Sequence, residues 1–386
     1  MGIVVAVAVC TSVGLIILAL LLWICLRQCR KHKVANVVPT TSPSGLHEAH
    51  DGTGKREAEI LESIGDTELF VQYDFDTLKI ATRDFSDENM LGEGGFGNVY
   101  RGTLTNGQYL AIKRLSGLTT AQDTRGMREF KKEARLLTKL QHNNLVRLVG
   151  FCSEGDEKLL VYEYMSNSNL DRVLSDPSMW SLLNWATRHH IIIGIARGLQ
   201  YLHEDSRLII HGDLKLGNIL LDKRMNPKIA EFGIARLFEG ADKAGNTVCI
   251  VGTQGYMAPE YLMTGDYSDK SDVYSFGIMI LEIVSGQKNS ISKKSPQKED
   301  FPIHVWRLWD KARSLNLVDP VLKNNYSIDV LRCIQIGLLC VQANAEQRPA
   351  MTVVVRMLTD SIDLPLPSAP THVHLSIQLA YSLPTK

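Results

Sequence analysis

Residues 211 to 233, HGDLKLGNILLDKRMNPKIAEFG, constrain this chain more than any other stretch. Asp213, Lys215 and Asn218 put a carboxylate, an ammonium and a carboxamide within six positions. A second carboxylate, Glu231, follows thirteen residues after Asn218 and leads into Phe232 and Gly233. Asp213 and Asn218 are spaced as a catalytic carboxylate and a metal-binding amide are in a phosphoryl-transfer loop. That layout normally carries aspartate where Glu231 stands and arginine where Gly212 stands. The segment therefore speaks clearly for a fold and a substrate class, and less clearly for a rate.

The sequence upstream supplies a phosphate cradle. Leu91-Gly92-Glu93-Gly94-Gly95-Phe96-Gly97-Asn98-Val99 contains G-x-G-x-x-G-x-V. A dinucleotide-binding turn shares these glycines but leads from a strand into a helix. Here NVYRGTL and YLAIKRL continue as strands, with Asn106-Gly107 as the hairpin turn between them. A hairpin whose glycines let the backbone approach phosphates fits this context better than a bare surface loop. Leu110-Ala111-Ile112-Lys113 ends in a lysine sixteen residues beyond Gly97, and Glu133 lies twenty residues further on. In REFKKEARLLTKLQ, Phe130, Ala134, Leu137 and Leu140 share one helical face. A Lys113–Glu133 pair would hold the ammonium over the nucleotide phosphates.

Leu159 to Met165 reads as a strand leading into a polar turn. FDTLKIATRDF reads as a short amphipathic helix, WATRHHIIIGIARGLQYLH and DVYSFGIMILEIVSG as long buried ones. A strand-rich first part followed by a helix-rich second part implies two lobes with a cleft between them.

Taken in order, ATRDFSDENMLGEGGFGNVYRG, EFKKEARLLTKLQHNNLVRLVGF, GTQGYMAPEY and KSDVYSFGIMILEIVSG resemble a eukaryotic protein kinase from about residue 85 to 358. The style is that of plant receptor-like kinases, notably the cysteine-rich receptor-like group, and more distantly of the Pelle and interleukin-receptor-associated kinases. The resemblance implies an α+β bilobal kinase fold, with a β-rich N-lobe at about 71–163 and a helical C-lobe at about 166–360. It implies ATP with Mg²⁺ as cofactors, Mn²⁺ being an alternative, and protein serine or threonine hydroxyls as acceptors. Asp213 would orient the substrate hydroxyl, Lys215 would neutralise the γ-phosphate, and Asn218 and Glu231 would hold the metal. Val99, Ala111 and Leu220 would surround adenine, with the backbone of Glu163 and Met165 at its edge and Tyr162 at the rear of the pocket. Glu260 would pair with Arg348, and Asp272 would brace the catalytic loop. Leu137, Leu148, His211 and Phe232 would link the lobes.

The two departures carry expectations of their own. Arginine at position 212 would meet a phosphorylated activation-segment residue, so with Gly212 phosphorylation at Thr247 or Thr253 should have less leverage on the loop. Glu231 keeps the charge of aspartate but is one methylene longer, while Mg²⁺ demands near-ideal octahedral geometry. A misplacement of ~1 Å can lower a rate ~10²-fold. Weakened catalysis is the expectation, with a pseudokinase scaffold or allosteric partner of another membrane kinase as the alternative.

Residues 3 to 26 carry no charge over 24 positions. As a helix this run spans ~36 Å, enough for a ~30 Å hydrocarbon core. Arg27, Arg30, Lys31 and Lys33 follow it directly, which puts the C-terminal side in the cytoplasm and the N-terminus outside. A cleaved signal peptide is disfavoured: Met1-Gly2 offers no basic n-region and the apolar run is too long. The expectation is a single-pass anchor in the plasma membrane, a cytoplasmic linker over 27–70, the kinase domain over 71–360 and a mobile Pro-rich tail over 361–386. Met1 lies almost directly before the membrane span, so the ectodomain of a receptor is missing here, either because the member is truncated or because upstream sequence is absent, and another membrane receptor kinase would supply one. A formal net charge of zero gives nothing for nucleic acid to recognise. Seven cysteines without paired spacing give neither a disulfide framework nor a zinc motif.

Overall fold

The computed structural model describes residues 70–94, 97–115, 124–204, 208–238, 244–289, 300–322 and 328–369. All of them fall within one contact-defined unit, residues 56–386. The expected membrane helix, nearly all of the linker, Gly95, Phe96 and the tail from residue 370 lie outside the described residues. Among the described residues no helix is long and apolar enough to cross a membrane.

The first part is a six-stranded sheet built from β1 (Val71–Gln72), β2 (Met90–Gly94), β3 (Gly97–Thr103), β4 (Tyr109–Leu115), β5 (Leu148–Glu154) and β6 (Glu157–Glu163). Its order is β1-β5-β6-β4-β3-β2, antiparallel throughout except where β1 runs parallel to β5. The turn at Asn106-Gly107 is where the sequence places it, with Gly107 at φ 82°. Two helices flank the sheet, α1 (Phe75–Ala81) and α2 (Thr124–Leu137). Phe130, Ala134, Leu137 and Leu140 are buried together on α2 and just beyond its end.

Helix α1 is shorter than the apolar pattern through Phe85 predicts. The Thr82 hydroxyl donates to the Leu78 carbonyl, and the Phe85 N–H donates back to that hydroxyl. Arg83, Asp84 and Phe85 then adopt left-handed backbone (φ 54°, 57° and 52°). This turn costs backbone energy. It also buries Phe85 between Phe75 and Tyr100, beneath the Arg114 guanidinium at 4.5 Å.

The second part is helical: α3 (Leu170–Ser175), α4 (Trp185–Glu204), α5 (Pro259–Thr264), α6 (Asp269–Ser285), α7 (Phe301–Asp310), α8 (Asp329–Cys340) and α9 (Met351–Thr359). Short strand pairs thread between them: β7 (Ile209–Ile210) with β10 (Arg236–Leu237), β8 (Ile219–Leu221) with β9 (Pro227–Ile229), and β11 (Ala244–Asn246) with β12 (Asp266–Ser268). Helix α6 is buried along nearly its whole length, as its all-round hydrophobicity requires. Its start is fixed by a capping box between Ser268 and Ser271.

Residues 361–369, the start of the Pro-rich stretch, run along α8. Arg332 on α8 donates to the carbonyls of Met357, Asp360 and Ile362. Gln335 donates to those of Leu364 and Pro365, and Gln342 to that of Ser368. Proline removes backbone donors but leaves carbonyls, and a row of side-chain donors satisfies these.

Candidate active site

Strand register brings the upper half of the site together. Lys113 on β4 faces Val99 on β3 and Leu160 on β6, which directs its side chain towards α2. Its Nζ lies 3.1 Å from Glu133 Oε2, so the pair read from the sequence is formed. The same Nζ lies 3.1 and 3.0 Å from Glu231 Oε1 and Oε2. Burial alone would lower the pKa of Lys113, but the charges of Glu133 and Glu231 outweigh it and the pKa is raised. Tyr162 donates its phenol to Glu133 Oε1 at 2.8 Å. Burial, reinforced by the nearby carboxylates, pushes its pKa well up, so it stays a donor.

The lower half is a hydrogen-bonded cluster on Asp213. Oδ2 accepts from Lys215 Nζ at 3.0 Å and Asn218 Nδ2 at 3.1 Å. Oδ1 accepts from the Thr253 hydroxyl at 2.6 Å, and Lys215 also donates to Thr253 at 2.8 Å. The sequence marks Thr253 only as a phosphorylation candidate; here its hydroxyl is engaged with the Asp213 carboxylate. Thr247 lies elsewhere on the activation segment, its hydroxyl donating to the Cys249 carbonyl.

Asp272 holds the loop from beneath. Its buried carboxylate accepts from the backbone N–H groups of His211 (2.7 Å) and Gly212 (2.9 Å), and lies 3.0 Å from His203 Nε2. Gly212 sits at φ 78°, where a side chain is strained although space for one is present. The sequence gives no sign of His203, since a histidine near the end of a long buried helix carries no signal of its own. Glu260 and Arg348 form the expected pair through two bonds of 2.8 Å. His211 meets Phe232 edge to face at 5.1 Å, and both are buried with Leu137 and Leu148.

The β8–β9 hairpin joins the two halves. The Ala230 N–H donates to the Asn218 carbonyl, which sets Glu231 beside the loop that carries Asp213 and Asn218. Glu231 is in the left-handed region at φ 68°, an uncommon place for a long side chain. From there its carboxylate reaches Lys113.

The remaining nucleotide positions line the cleft. Val99, Ala111 and Leu220 are half-buried, Met165 is buried, and Leu91, Gly92 and Glu93 are exposed at its rim. Asn98 donates to the Tyr100 hydroxyl. Glu163 spends its N–H on the Arg147 carbonyl, and its side chain pairs with Lys228 at 2.9 Å.

The donor set suits a hard cation. Asn218 turns its Nδ2 onto Asp213, which leaves Oδ1 as the atom directed elsewhere. With the Glu231 carboxylate this gives oxygen ligands of the kind Mg²⁺ takes alongside substrate phosphates. Among the described residues no cluster of three His, Cys, Asp or Glu forms a self-sufficient metal cage. A metal that arrives with the nucleotide needs none.

Comparison with known proteins agrees with this geometry. The protein kinase domain family matches residues 85–357. Cysteine-rich receptor-like protein kinase 8 of Arabidopsis thaliana is 52% identical over 303 residues, covering 78% of this chain and 44% of the relative. Cysteine-rich receptor-like protein kinase 11 of the same plant is 46% identical over 384 residues, 98% of this chain and 54% of the relative. The chain thus spans about half the length of the curated relatives it matches. It belongs to the protein kinase family, with cysteine-rich receptor-like protein kinases as its relatives.

Proposed function

We propose that this chain is a membrane-anchored serine/threonine protein kinase that transfers the γ-phosphate of ATP to protein hydroxyls. The observation that carries the reading is the Asp213 cluster. A carboxylate fixed by Lys215, Asn218 and Thr253 can accept a hydrogen bond from a substrate hydroxyl without changing its own position. Lys215, already beside it, neutralises charge on the transferred group. Lys113, steadied by Glu133, would grip the nucleotide phosphates, and the phosphate loop ending at Gly97 would cover them. The carbonyl of Glu163 and the N–H of Met165 would meet the adenine edge. Asn218 and Glu231 would hold Mg²⁺, which supplies charge neutralisation between the phosphates. The membrane anchor rests on the uncharged run at residues 3–26 and its basic flank. The alignment with kinase 11 covers 98% of this chain.

One observation favours a second reading, a pseudokinase that partners another membrane kinase: Glu231 is engaged with Lys113. Autophosphorylation with γ-labelled ATP separates the two. Incorporation by the wild type that Lys113→Ala eliminates supports the kinase. Incorporation that only Glu231→Asp acquires supports the scaffold.

A further inference from the structure

Strand β1 runs parallel to β5, with Val71 opposite Gly150 and Gln72 opposite Phe151. The chain arriving from residue 69 therefore enters at the Arg147 end of β5, where Arg147 is exposed. The carboxylates of the β5–β6 turn, Glu154, Asp156 and Glu157, lie at the other end. The Asn144 side chain donates to the Pro227 carbonyl at 2.9 Å, and the Ile229 N–H donates to the Asn144 carbonyl at 2.8 Å. These bonds fasten the stretch before β5 to the β8–β9 hairpin. Helix α4 packs against both through glycines. A Cβ at Gly194 would fall 2.5 Å from Pro227, and one at Gly198 would fall 3.0 Å from the Asn144 carbonyl oxygen. The Gln141 N–H donates to the Tyr201 hydroxyl further along the same helix.

This packing gathers Lys139, Arg147, Arg197, Lys223 and Arg224 on one surface, each of them exposed. Among the described residues none of these side chains makes an ion pair. The neighbouring carboxylates are already engaged. Glu163 pairs with Lys228, Asp222 accepts from the N–H groups of Arg224 and Asn226, and Glu204 farther along α4 accepts from the Thr352 N–H. Like charges gathered without partners repel one another and attract an anionic surface. The point of entry of the chain says which surface. Residues 34–69 cannot hold the domain more than ~130 Å from a bilayer anchored at 3–26, and they join it beside this basic face. The flank Arg27, Arg30, Lys31 and Lys33 has the same sign and would sit at the same leaflet.

We propose that this face docks the domain onto the anionic phospholipid headgroups of the leaflet that holds the anchor. The proposal rests on the anchor reading and adds an orientation to it. The hairpin tip at 222–226 meets the lipid. The opposite end of the hairpin, which leads to Glu231 in the cleft, faces away from it. Each basic residue at such a surface strengthens partition about fivefold, provided that it comes within a Debye length, ~8 Å at physiological salt.

The test measures backbone hydrogen exchange in the full 386-residue chain, reconstituted in vesicles of phosphatidylcholine alone or with phosphatidylserine. Amides of 139–147 and 222–226 should exchange about fivefold more slowly in the anionic bilayer than in the neutral one. The double variant Lys223→Glu, Arg224→Glu should erase that difference, as should raising the salt to ~1 M. Both side chains are exposed at a turn, so the variant keeps the fold. Equal exchange in the two bilayers, or slowing that survives the double variant, overturns the proposal and leaves the anchor standing. Slowing by poly-glutamate added to the neutral vesicles, without slowing by phosphatidylserine, assigns the face to an acidic protein and also overturns it. Release of the chain from both kinds of vesicle by alkaline carbonate overturns anchor and proposal together.

Discussion

The Thr253 hydroxyl lies 2.6 Å from Asp213 Oδ1 and 2.8 Å from Lys215 Nζ, closing a three-membered network across forty positions of sequence. Through it the segment that carries Thr253 is tied to the Asp213 carboxylate. If the kinase reading holds, Thr253→Val should lower kcat by about 10²-fold with little change in ATP KM, since positioning is lost and nucleotide contacts are not. Thr253→Ser should restore most of the rate. Steady-state kinetics on a generic protein substrate would decide it.

Arg348 is fully buried, and its fork meets Glu260 while also donating to the carbonyls of Gln342 and Lys270. Removing one partner of a buried pair leaves the other uncompensated. Arg348→Ala should destabilise the fold by about 3–5 kcal/mol. Lysine cannot reproduce the bidentate geometry and should rescue less than half of that. Urea unfolding followed by tryptophan fluorescence would measure both.

Glu282 is buried on α6, accepting from the Tyr256 hydroxyl and the Asn289 N–H, with Asp171 and Lys288 nearby. Burial outweighs those bonds and raises its pKa from 4.5 to about 7. The folded state therefore holds a proton that the unfolded chain releases. Stability from this group is complete below pH 4.5 and is lost as pH rises through about 7. Glu282→Gln should gain on the wild type by about 2 kcal/mol between pH 5 and pH 8. An unchanged difference across that range would contradict the assignment.

Arg332 anchors the last turn of α9 and the strap that follows it at 361–369, through the carbonyls of Met357, Asp360 and Ile362. Arg332→Ala should release this strap to limited proteolysis while leaving nucleotide affinity at the wild-type level, because the strap lies on α8, away from the cleft. Mass spectrometry of the cleavage products would show whether the new cut falls after Thr359.

The parts of the site legible in the sequence are those whose spacing is fixed inside one element or between neighbours. Asp213 with Asn218, and Lys113 with Glu133, lie in elements whose order and length leave one way to meet. The Glu260–Arg348 pair came with the family pattern. Thr253 was visible as a residue but not as a partner of Asp213, since a threonine in a loop says nothing about what its hydroxyl faces. The Glu231–Lys113 contact was hidden for another reason: it depends on a left-handed backbone and one side-chain length, neither of which periodicity records. The early end of α1 has the same origin, because the Thr82 hydroxyl competes for a helical carbonyl while the apolar pattern continues. The strap at 361–369 is held by its carbonyls, which every sequence has.

Gly150 has a consequence for how force travels through the molecule. A Cβ there would fall 2.0 Å from the Val71 carbonyl, so only glycine lets β1 lie against β5. The Tyr73 N–H donates to the Phe151 carbonyl and the Phe75 N–H to Glu154, continuing the seam. Any pull arriving from the chain before residue 70 is thus borne by β1 sliding along β5, where the bonds load together instead of opening one at a time. Strands β6 and β4 separate that seam from the phosphate loop. A load entering at this edge meets the β1–β5 seam before it reaches the opposite edge of the sheet.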